Sequence, residues 1–231
     1  MNYKQNKNYF KISDKFNTIG VLVLGAGVVS MILSFIGFGS YIFYGLAGIC
    51  LPSGFVMYLF GSILRATDDD IRVAVESATM GLEVDLTKDV RLSRKLIKNS
   101  EPRTLAGFDY NDGNQFMKAK NGQIISSSYT KALLYILSDE FYLSMRTISL
   151  IEDCSEDKIL EIPFCDVKEI LYLTENKTVS SLKNTYEVEL TKIIINYGDD
   201  KTLELPISKD IEAEEYVNKL NRRITEFKAS V

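Results

Sequence analysis

The feature that most constrains this chain is a long run of residues without charge. Between Lys15 and Arg65 no Asp, Glu, Lys or Arg occurs over 49 consecutive residues. A transmembrane helix needs about 20 mostly apolar residues, so the run holds two such helices and a short connection, but not three. The sequence therefore predicts a transmembrane helical hairpin over 19–64, with spans at Ile19–Phe38 and Tyr41–Leu64 and a connection at Gly39-Ser40.

Basic residues lie at both ends of this hairpin. Four lysines precede it in an N-terminal arm over 1–18, and Arg65 and Arg72 follow it. Because basic residues stay on the cytosolic side, we expect a two-pass protein of the cell (inner or plasma) membrane with both termini in the cytosol. A cleaved signal peptide is the alternative for the first span. The apolar region of a signal peptide is about 7–15 residues long, whereas the first span here is longer and a second span follows it at once.

Small residues recur at heptad spacing in both spans. Close helix contacts in membranes favour such residues, so we expect the two helices to meet along this seam. If the two helices fold back on each other about residues 40 and 41, Gly20 would pair with Gly61, Gly27 with Gly54 and Ser34 with Ala47. A chance register is the alternative, because glycine is common in membrane spans. The predicted seam consists of Gly20, Gly27, Ser34, Ala47, Gly54 and Gly61.

Composition excludes several classes of chemistry. The chain has no histidine, which removes imidazole-based triads, histidine-ligated zinc and the HExxH metallopeptidase motif. The three cysteines show no paired spacing, so we expect them to be reduced and structural. Neither span carries a charged residue of the kind that marks ion or substrate pathways, which argues against a transporter or channel. We expect no catalytic residue, cofactor or metal.

The chain beyond the spans is acidic. Residues 66–231 hold 22 basic and 30 acidic residues, a net charge of −8. Nucleic-acid binding requires a basic face that neutralises phosphates. We therefore expect no nucleic-acid partner.

A juxtamembrane helical linker is predicted over 65–103. Its apolar residues from Ile71 to Leu86 follow helical spacing, and Asp68, Asp69 and Asp70 suit a helix N-terminus. A basic patch follows, and two interpretations of it stay open: contact with anionic lipid, or a solvated helix face balanced by neighbouring acids. The candidate lipid-facing residues are Arg91, Arg94, Lys95 and Lys98.

After Pro102 the pattern becomes extended, which indicates a β domain over 104–231. Asp112-Gly113 and Asn121-Gly122 predict hairpin turns. About seven antiparallel strands are expected, and an amphipathic helix from Ile211 to Lys228, capped by Asp210, closes the domain. The fold class is thus a membrane α-helical hairpin plus an α+β cytosolic domain.

Three segments carry a resemblance to a known fold family. LLYILSDEFYLSMR (Leu133–Arg146), EIPFCDVKEILYL (Glu161–Leu173) and YEVELTKIIINYGDDKTLELP (Tyr186–Pro206) resemble bacterial PH-like and GRAM-like domains. The stretch Asn121–Ser144 also resembles bacterial membrane proteins that pair a helical hairpin with such a domain. The resemblance implies a PH-like antiparallel β-barrel or sandwich capped by the C-terminal helix. Lipid-binding members carry a dense basic patch, whereas this chain has only Lys118, Lys120 and Lys131.

We therefore expect a non-enzymatic, membrane-tethered module at the cytosolic face of the membrane. Its partner would be a protein or a second copy of the chain. Two alternatives remain: a sensor of anionic lipid or envelope stress that uses the basic patch, and a membrane-bound hydrolase working without imidazole.

Overall fold

A computed structural model describes residues 1–12, 15–36, 41–84, 86–97, 101–181, 184–208 and 212–230. The chain divides into two compact units, Met1–Val73 and Ala74–Val231. Residues 65–103, expected to be one linker, are therefore shared between the two units.

Helices make up the N-terminal unit: α1 (Tyr3–Lys11), α2 (Lys15–Phe35), α3 (Tyr41–Ser62) and the start of α4 (Asp68–Ala78). Both α2 and α3 are long and apolar enough to cross a membrane. At 1.5 Å per residue each is about 30 Å long, the thickness of a bilayer's hydrocarbon core. The predicted connection at Gly39-Ser40 lies outside the described residues.

The two long helices approach each other closely at glycine. A Cβ atom on Gly54 would lie 2.6 Å from the backbone nitrogen of Leu24, and one on Gly61 would lie 2.6 Å from that of Asn17. The predicted pairing of Gly27 with Gly54 and of Gly20 with Gly61 is wrong by three residues. Gly27 instead lies against Leu51, whereas Gly20 and Gly54 contact each other, since a Cβ atom on either would lie 3.0 Å from the other's carbonyl oxygen.

The N-terminal arm contains a helix that the sequence pattern did not predict. Gln5 Nε2 donates to the Ile63 carbonyl at 3.1 Å, and Asn8 Nδ2 donates to the Leu64 carbonyl at 2.7 Å. Carbonyl groups at and just beyond the C-terminal end of a helix have no hydrogen-bond partner within that helix. Helix α1 therefore supplies hydrogen bonds to the chain that leaves α3.

Helix α4 begins at the predicted aspartates but ends at Ala78, earlier than its apolar spacing indicated. Gly81 has a φ of +73°, a left-handed conformation that ends the helix. A 3₁₀ turn (Leu86–Lys88) and α5 (Val90–Lys95) follow. Leucines of this segment pack on the β domain, which makes it part of that domain; the cluster contains Leu82, Leu86, Leu92, Leu133, Tyr135, Leu137 and Tyr142.

Among the described residues, the β domain has nine strands where about seven were expected. They are β1 (Arg103–Phe108), β2 (Phe116–Lys118), β3 (Ile124–Ser126), β4 (Ser128–Ile136), β5 (Glu140–Ser149), β6 (Ser155–Pro163), β7 (Val167–Ser181), β8 (Asn184–Tyr197) and β9 (Lys201–Ile207). All pairs are antiparallel, in the sheets β1-β4-β5-β6, β2-β3 and β7-β8-β9. These sheets are not closed into a barrel. Asp112-Gly113 forms a turn but no hairpin, because β1 pairs with β4.

One core joins the two larger sheets to the C-terminal helix α6 (Ala213–Ser230). Phe141, Phe164 and Ile193 are fully buried in it. The predicted apolar stripe of α6 faces this core, with Val217, Leu220 and Ile224 buried. The predicted cap Asp210 and first residue Ile211 lie outside the described residues.

Candidate binding groove

The β2–β3 hairpin lies against the part of the long β7–β8 ribbon that contains Val179 and Val188. A small second core joins them, formed by Phe116, Ile124, Val179 and Val188. Tyr110 stacks on Phe116 with ring centroids 5.9 Å apart. The Phe116 backbone nitrogen also donates to Ser181 Oγ at 3.2 Å. The hairpin is therefore fixed on the ribbon and forms a wall beside it.

A groove of about 510 Å³ opens between this wall and the β7-β8-β9 sheet. That volume suits a small molecule or a few residues of a peptide. Its apolar lining includes Ile124, Leu190 and Pro206, and its sides carry Asp109, Glu175, Lys177, Glu187, Glu189, Lys192 and Glu204.

Gly107 allows strand β1 to approach β9 at one end of the groove. A Cβ atom there would lie 3.1 Å from the Pro206 carbonyl carbon and 3.2 Å from the Ile207 nitrogen. The Ser208 nitrogen donates to the Ala106 carbonyl at 2.8 Å beside this contact. The close approach positions the segment after β1, which forms the next part of the groove.

Asp109 is held at the base of the hairpin by two hydroxyl groups. Its Oδ2 accepts from Ser128 Oγ at 2.9 Å and from Thr130 Oγ1 at 2.8 Å. Burial raises the pKa of the Asp109 carboxyl, although both hydrogen bonds act in the opposite direction. The carboxyl is thus a structural anchor for the groove wall.

Lys192 links all three strands of the groove's sheet. Its Nζ lies 3.0 Å from Glu175 Oε1 on β7 and 3.0 Å from Glu204 Oε2 on β9. Burial alone would lower the pKa of Lys192, but the bonds to these two carboxylates raise it. The lysine stays charged at neutral pH and is already occupied by its neighbours.

The groove lining holds five acidic and two basic side chains. Glu175 and Glu204 are bonded to Lys192, so the acidic character of the surface comes from the exposed Glu187 and Glu189, which favour cationic groups over phosphate. Among the described residues, no three His, Cys, Asp or Glu side chains gather closely enough to hold a metal ion. The arrangement suits reversible binding of a basic or neutral segment with apolar side chains.

The predicted lipid-facing residues lie apart from the groove. Arg91 forms an ion pair with Glu161, and Lys95 Nζ lies 3.0 Å from Asp139 Oδ2. These bonds raise the pKa of both basic groups. Arg94 is exposed, and Lys98 lies outside the described residues. Two of the four residues are therefore used inside the β domain.

The predicted seam residues lie between α2 and α3. Gly20, Gly27 and Ser34 are the buried residues of α2, and Ala47 and Gly54 are those of α3. Gly61 faces Asn17. Of the cysteines, Cys154 and Cys165 are exposed and Cys50 is half-buried.

Sequence reasoning missed the groove because its residues come from separate strands. A local signal is the alternation of charged and apolar residues from Glu187 to Leu190, which marks one face of β8 without showing what covers it.

The fold defines the chain as two helices long enough to span a membrane, followed by an antiparallel β domain with a C-terminal helix. The chain matches no protein-family model, no curated protein and no solved structure.

Proposed function

We propose that this protein is a non-enzymatic, membrane-tethered interaction module that binds a segment of a partner protein at the cytosolic face of the cell membrane. The groove beside the β2–β3 hairpin is the proposed binding site. The helices α2 and α3 are the proposed tether, crossing the membrane twice so that both termini are cytosolic.

The exposed faces of α2 and α3 support the tether. Large apolar side chains cover them, among them Leu22 and Phe35 on α2 and Ile49 on α3. Apolar surface of this extent is unfavourable in water and favourable in lipid. The charge-free run and the basic residues beside it support the two-pass orientation.

Strand order supports a PH-like fold. When the β2–β3 hairpin is set aside, seven strands remain, four in one sheet and three in the next, and α6 follows them. The hairpin is then an insertion between the first two strands of the four-stranded sheet. We propose that this insertion builds the groove and adapts the fold to its partner.

The observation that carries the proposal is the groove itself. It combines an apolar lining with an acidic rim, and its hairpin wall is anchored by a core of its own. A segment with basic and apolar side chains would complement both features. Lys192 is paired with Glu175 and Glu204, so the acidic preference of the rim rests on the exposed Glu187 and Glu189.

The alternatives receive less support. Lipid binding through the basic patch would have to break the ion pairs of Arg91 and Lys95 with the β domain. A hydrolase without histidine would need another base, such as a carboxylate. The buried carboxyl of Asp109 is occupied by Ser128 and Thr130.

Site-specific crosslinking in native membranes tests the proposal. A photo-crosslinking amino acid at Gln123 or Lys177, both lining the groove, should capture a defined protein. The same group at Ile159, exposed on β6 and outside the groove, is the matched control. Charge reversal of Glu187 and Glu189 to lysine should abolish capture from Gln123. Equal capture from Ile159, or capture unaffected by charge reversal, would contradict the proposed site.

A further inference from the structure

Helix α1 has a buried face and an exposed basic face. Tyr9 and Phe10 are fully buried. Lys4, Lys7 and Lys11 are all exposed. At about 100° per residue these three lysines fall within about 60° of one another, opposite the buried pair. The helix therefore presents a single basic ridge, which we call the lysine face.

The lysine face lies at the end of the proposed membrane spans. Helix α1 donates hydrogen bonds to the carbonyls of Ile63 and Leu64, the first two residues after α3. Helix α2 begins at Lys15, four residues after α1 ends. If α2 and α3 span the bilayer, helix α1 lies at the depth of the lipid headgroups.

Tyr9 and Arg65 fix α1 in this place. The Tyr9 hydroxyl donates to Asp68 Oδ1 at 2.7 Å, and the Arg65 guanidinium lies 4.7 Å from the centroid of the Tyr9 ring. Burial, followed by the bond to Asp68, raises the pKa of Tyr9, so the hydroxyl remains a donor. The position of the lysines is therefore set by packing as well as by chain connectivity.

Charges nearby leave the lysine face available. The acidic groups at the start of α4 are engaged elsewhere: Asp69 pairs with Arg72, and Asp70 accepts from Thr67. Within the described part of the chain, none of the three lysines pairs with an acidic side chain. An anionic surface is the complementary partner for such a ridge.

We propose that the lysine face of α1 binds anionic phospholipid headgroups of the leaflet that the ends of α2 and α3 reach. The aliphatic stems of Lys4, Lys7 and Lys11 would lie along the interface while their ammonium groups contact the phosphates. This inference differs from lipid contact through Arg91 and Lys95 and does not depend on the groove.

Electron paramagnetic resonance of spin-labelled lipids tests the inference on the full chain. The protein is reconstituted in phosphatidylcholine bilayers containing a trace of labelled phosphatidylglycerol or labelled phosphatidylcholine. The immobilised fraction of each label gives the selectivity of the protein surface. We expect it to favour phosphatidylglycerol, by up to about five-fold for each lysine that contacts a headgroup, and to fall towards one at about 1 M salt.

Three triple variants decide the outcome. Lys4→Gln with Lys7→Gln and Lys11→Gln should lose most of the selectivity, whereas the same positions changed to arginine should keep it. The control, Lys118→Gln with Lys120→Gln and Lys131→Gln, changes only the β domain and should behave as wild type. Unchanged selectivity in the α1 glutamine variant, loss in the arginine variant, or equal loss in the control would each overturn the proposal.

Discussion

The helical hairpin and the β domain place their large apolar side chains in opposite ways. In the hairpin, Leu22, Phe35 and Ile49 are about 70% exposed, at 68%, 70% and 69%. In the β domain, Phe141 and Phe164 are fully buried. The same types of side chain thus face outward in one region and inward in the other. This difference is the one expected if lipid surrounds the first region and water the second.

The interiors of the two regions differ as well. Glycine, serine and alanine are the buried residues where α2 meets α3, and they let the backbones approach within van der Waals distance. Aromatic and branched side chains fill the β core. Lipid provides no hydrophobic force between helices, so their association depends on close backbone packing. The β domain gains its stability by removing large side chains from water.

The largest expected effect separates the two regions directly. Phe141→Ala removes a fully buried ring whose centroid lies 4.8 Å from that of Phe164, and should destabilise the β domain by about 3–5 kcal/mol. Leu22→Ala on the outer face of α2, at a residue 68% exposed, should cost less than about 1 kcal/mol, because in the proposed bilayer that side chain would face lipid in either state. Hydrogen exchange in lipid nanodiscs measures both. Similar losses would remove the distinction.

A smaller effect is expected at the helix seam. Gly54→Leu forces a side chain against the Leu24 backbone and should weaken the hairpin by about 1–3 kcal/mol. Gly48→Leu is the control, because a Cβ atom on Gly48 meets nothing within 4 Å. The mole fraction of SDS that separates α2 from α3 reports the difference. The proposed packing fails if both variants separate at the same point.

A more modest effect is expected from the Tyr9 hydroxyl, which helps to hold α1 in place. Tyr9→Phe removes the hydrogen bond to Asp68 and should lower the local stability of α1 by about 1 kcal/mol. Tyr41→Phe, at a residue 94% exposed, should have no effect. Exchange rates of the α1 amides measure this. Unchanged rates in Tyr9→Phe would show that ring packing alone holds the helix.

The smallest effect is a difference in pH dependence inside the β domain. Burial raises the pKa of Asp109 in the folded state, so stability should fall as pH rises from about 3.9, the ordinary value of Asp. Asp109→Asn should remove that fall. The pKa of Asp157 is lowered by its hydrogen bond to Arg146, so the stability it contributes is present above about 3.9 and is lost as pH falls below it.

Asp157→Asn is therefore the control of opposite sign. Its deficit in stability should be present at neutral pH and should disappear in acid. Denaturant unfolding of the full chain between about pH 3 and 7 records both profiles. Profiles of the same sign would contradict the assigned environments.

Much of the fold follows from local patterns in the sequence. The charge-free run places α2 and α3, and the strands beyond Pro102 follow from alternation and from turns such as Asn121-Gly122. Helix α1 was missed because YKQNKNYFK has few apolar residues, and its Tyr9 and Phe10 become buried only by packing on distant residues. The hairpin register was wrong by three residues because spacing alone does not show which residue opposes each glycine.

The candidate site was less predictable than the fold. Gly107 and Asp109 are far in sequence from Lys192 and Glu204, and strand pairing brings the two groups together. The basic patch was visible, but the partners of Arg91 and Lys95 lie in strands and turns whose arrangement no local pattern contains. Local sequence patterns thus predict the helices and strands, whereas a site formed between strands can be predicted only when their pairing is known.

Topology mapping in expressing cells tests the central claim, that α2 and α3 cross the membrane and leave both ends on the cytosolic side. Single cysteines at Asn2→Cys, Ser40→Cys and native Cys154, each in a background without the other cysteines, are treated with a membrane-impermeant maleimide. We predict that Ser40→Cys reacts in intact cells, whereas Asn2→Cys and Cys154 react only in inside-out vesicles. Reaction of residues 2 and 154 from opposite sides, or of all three from one side, would contradict the account.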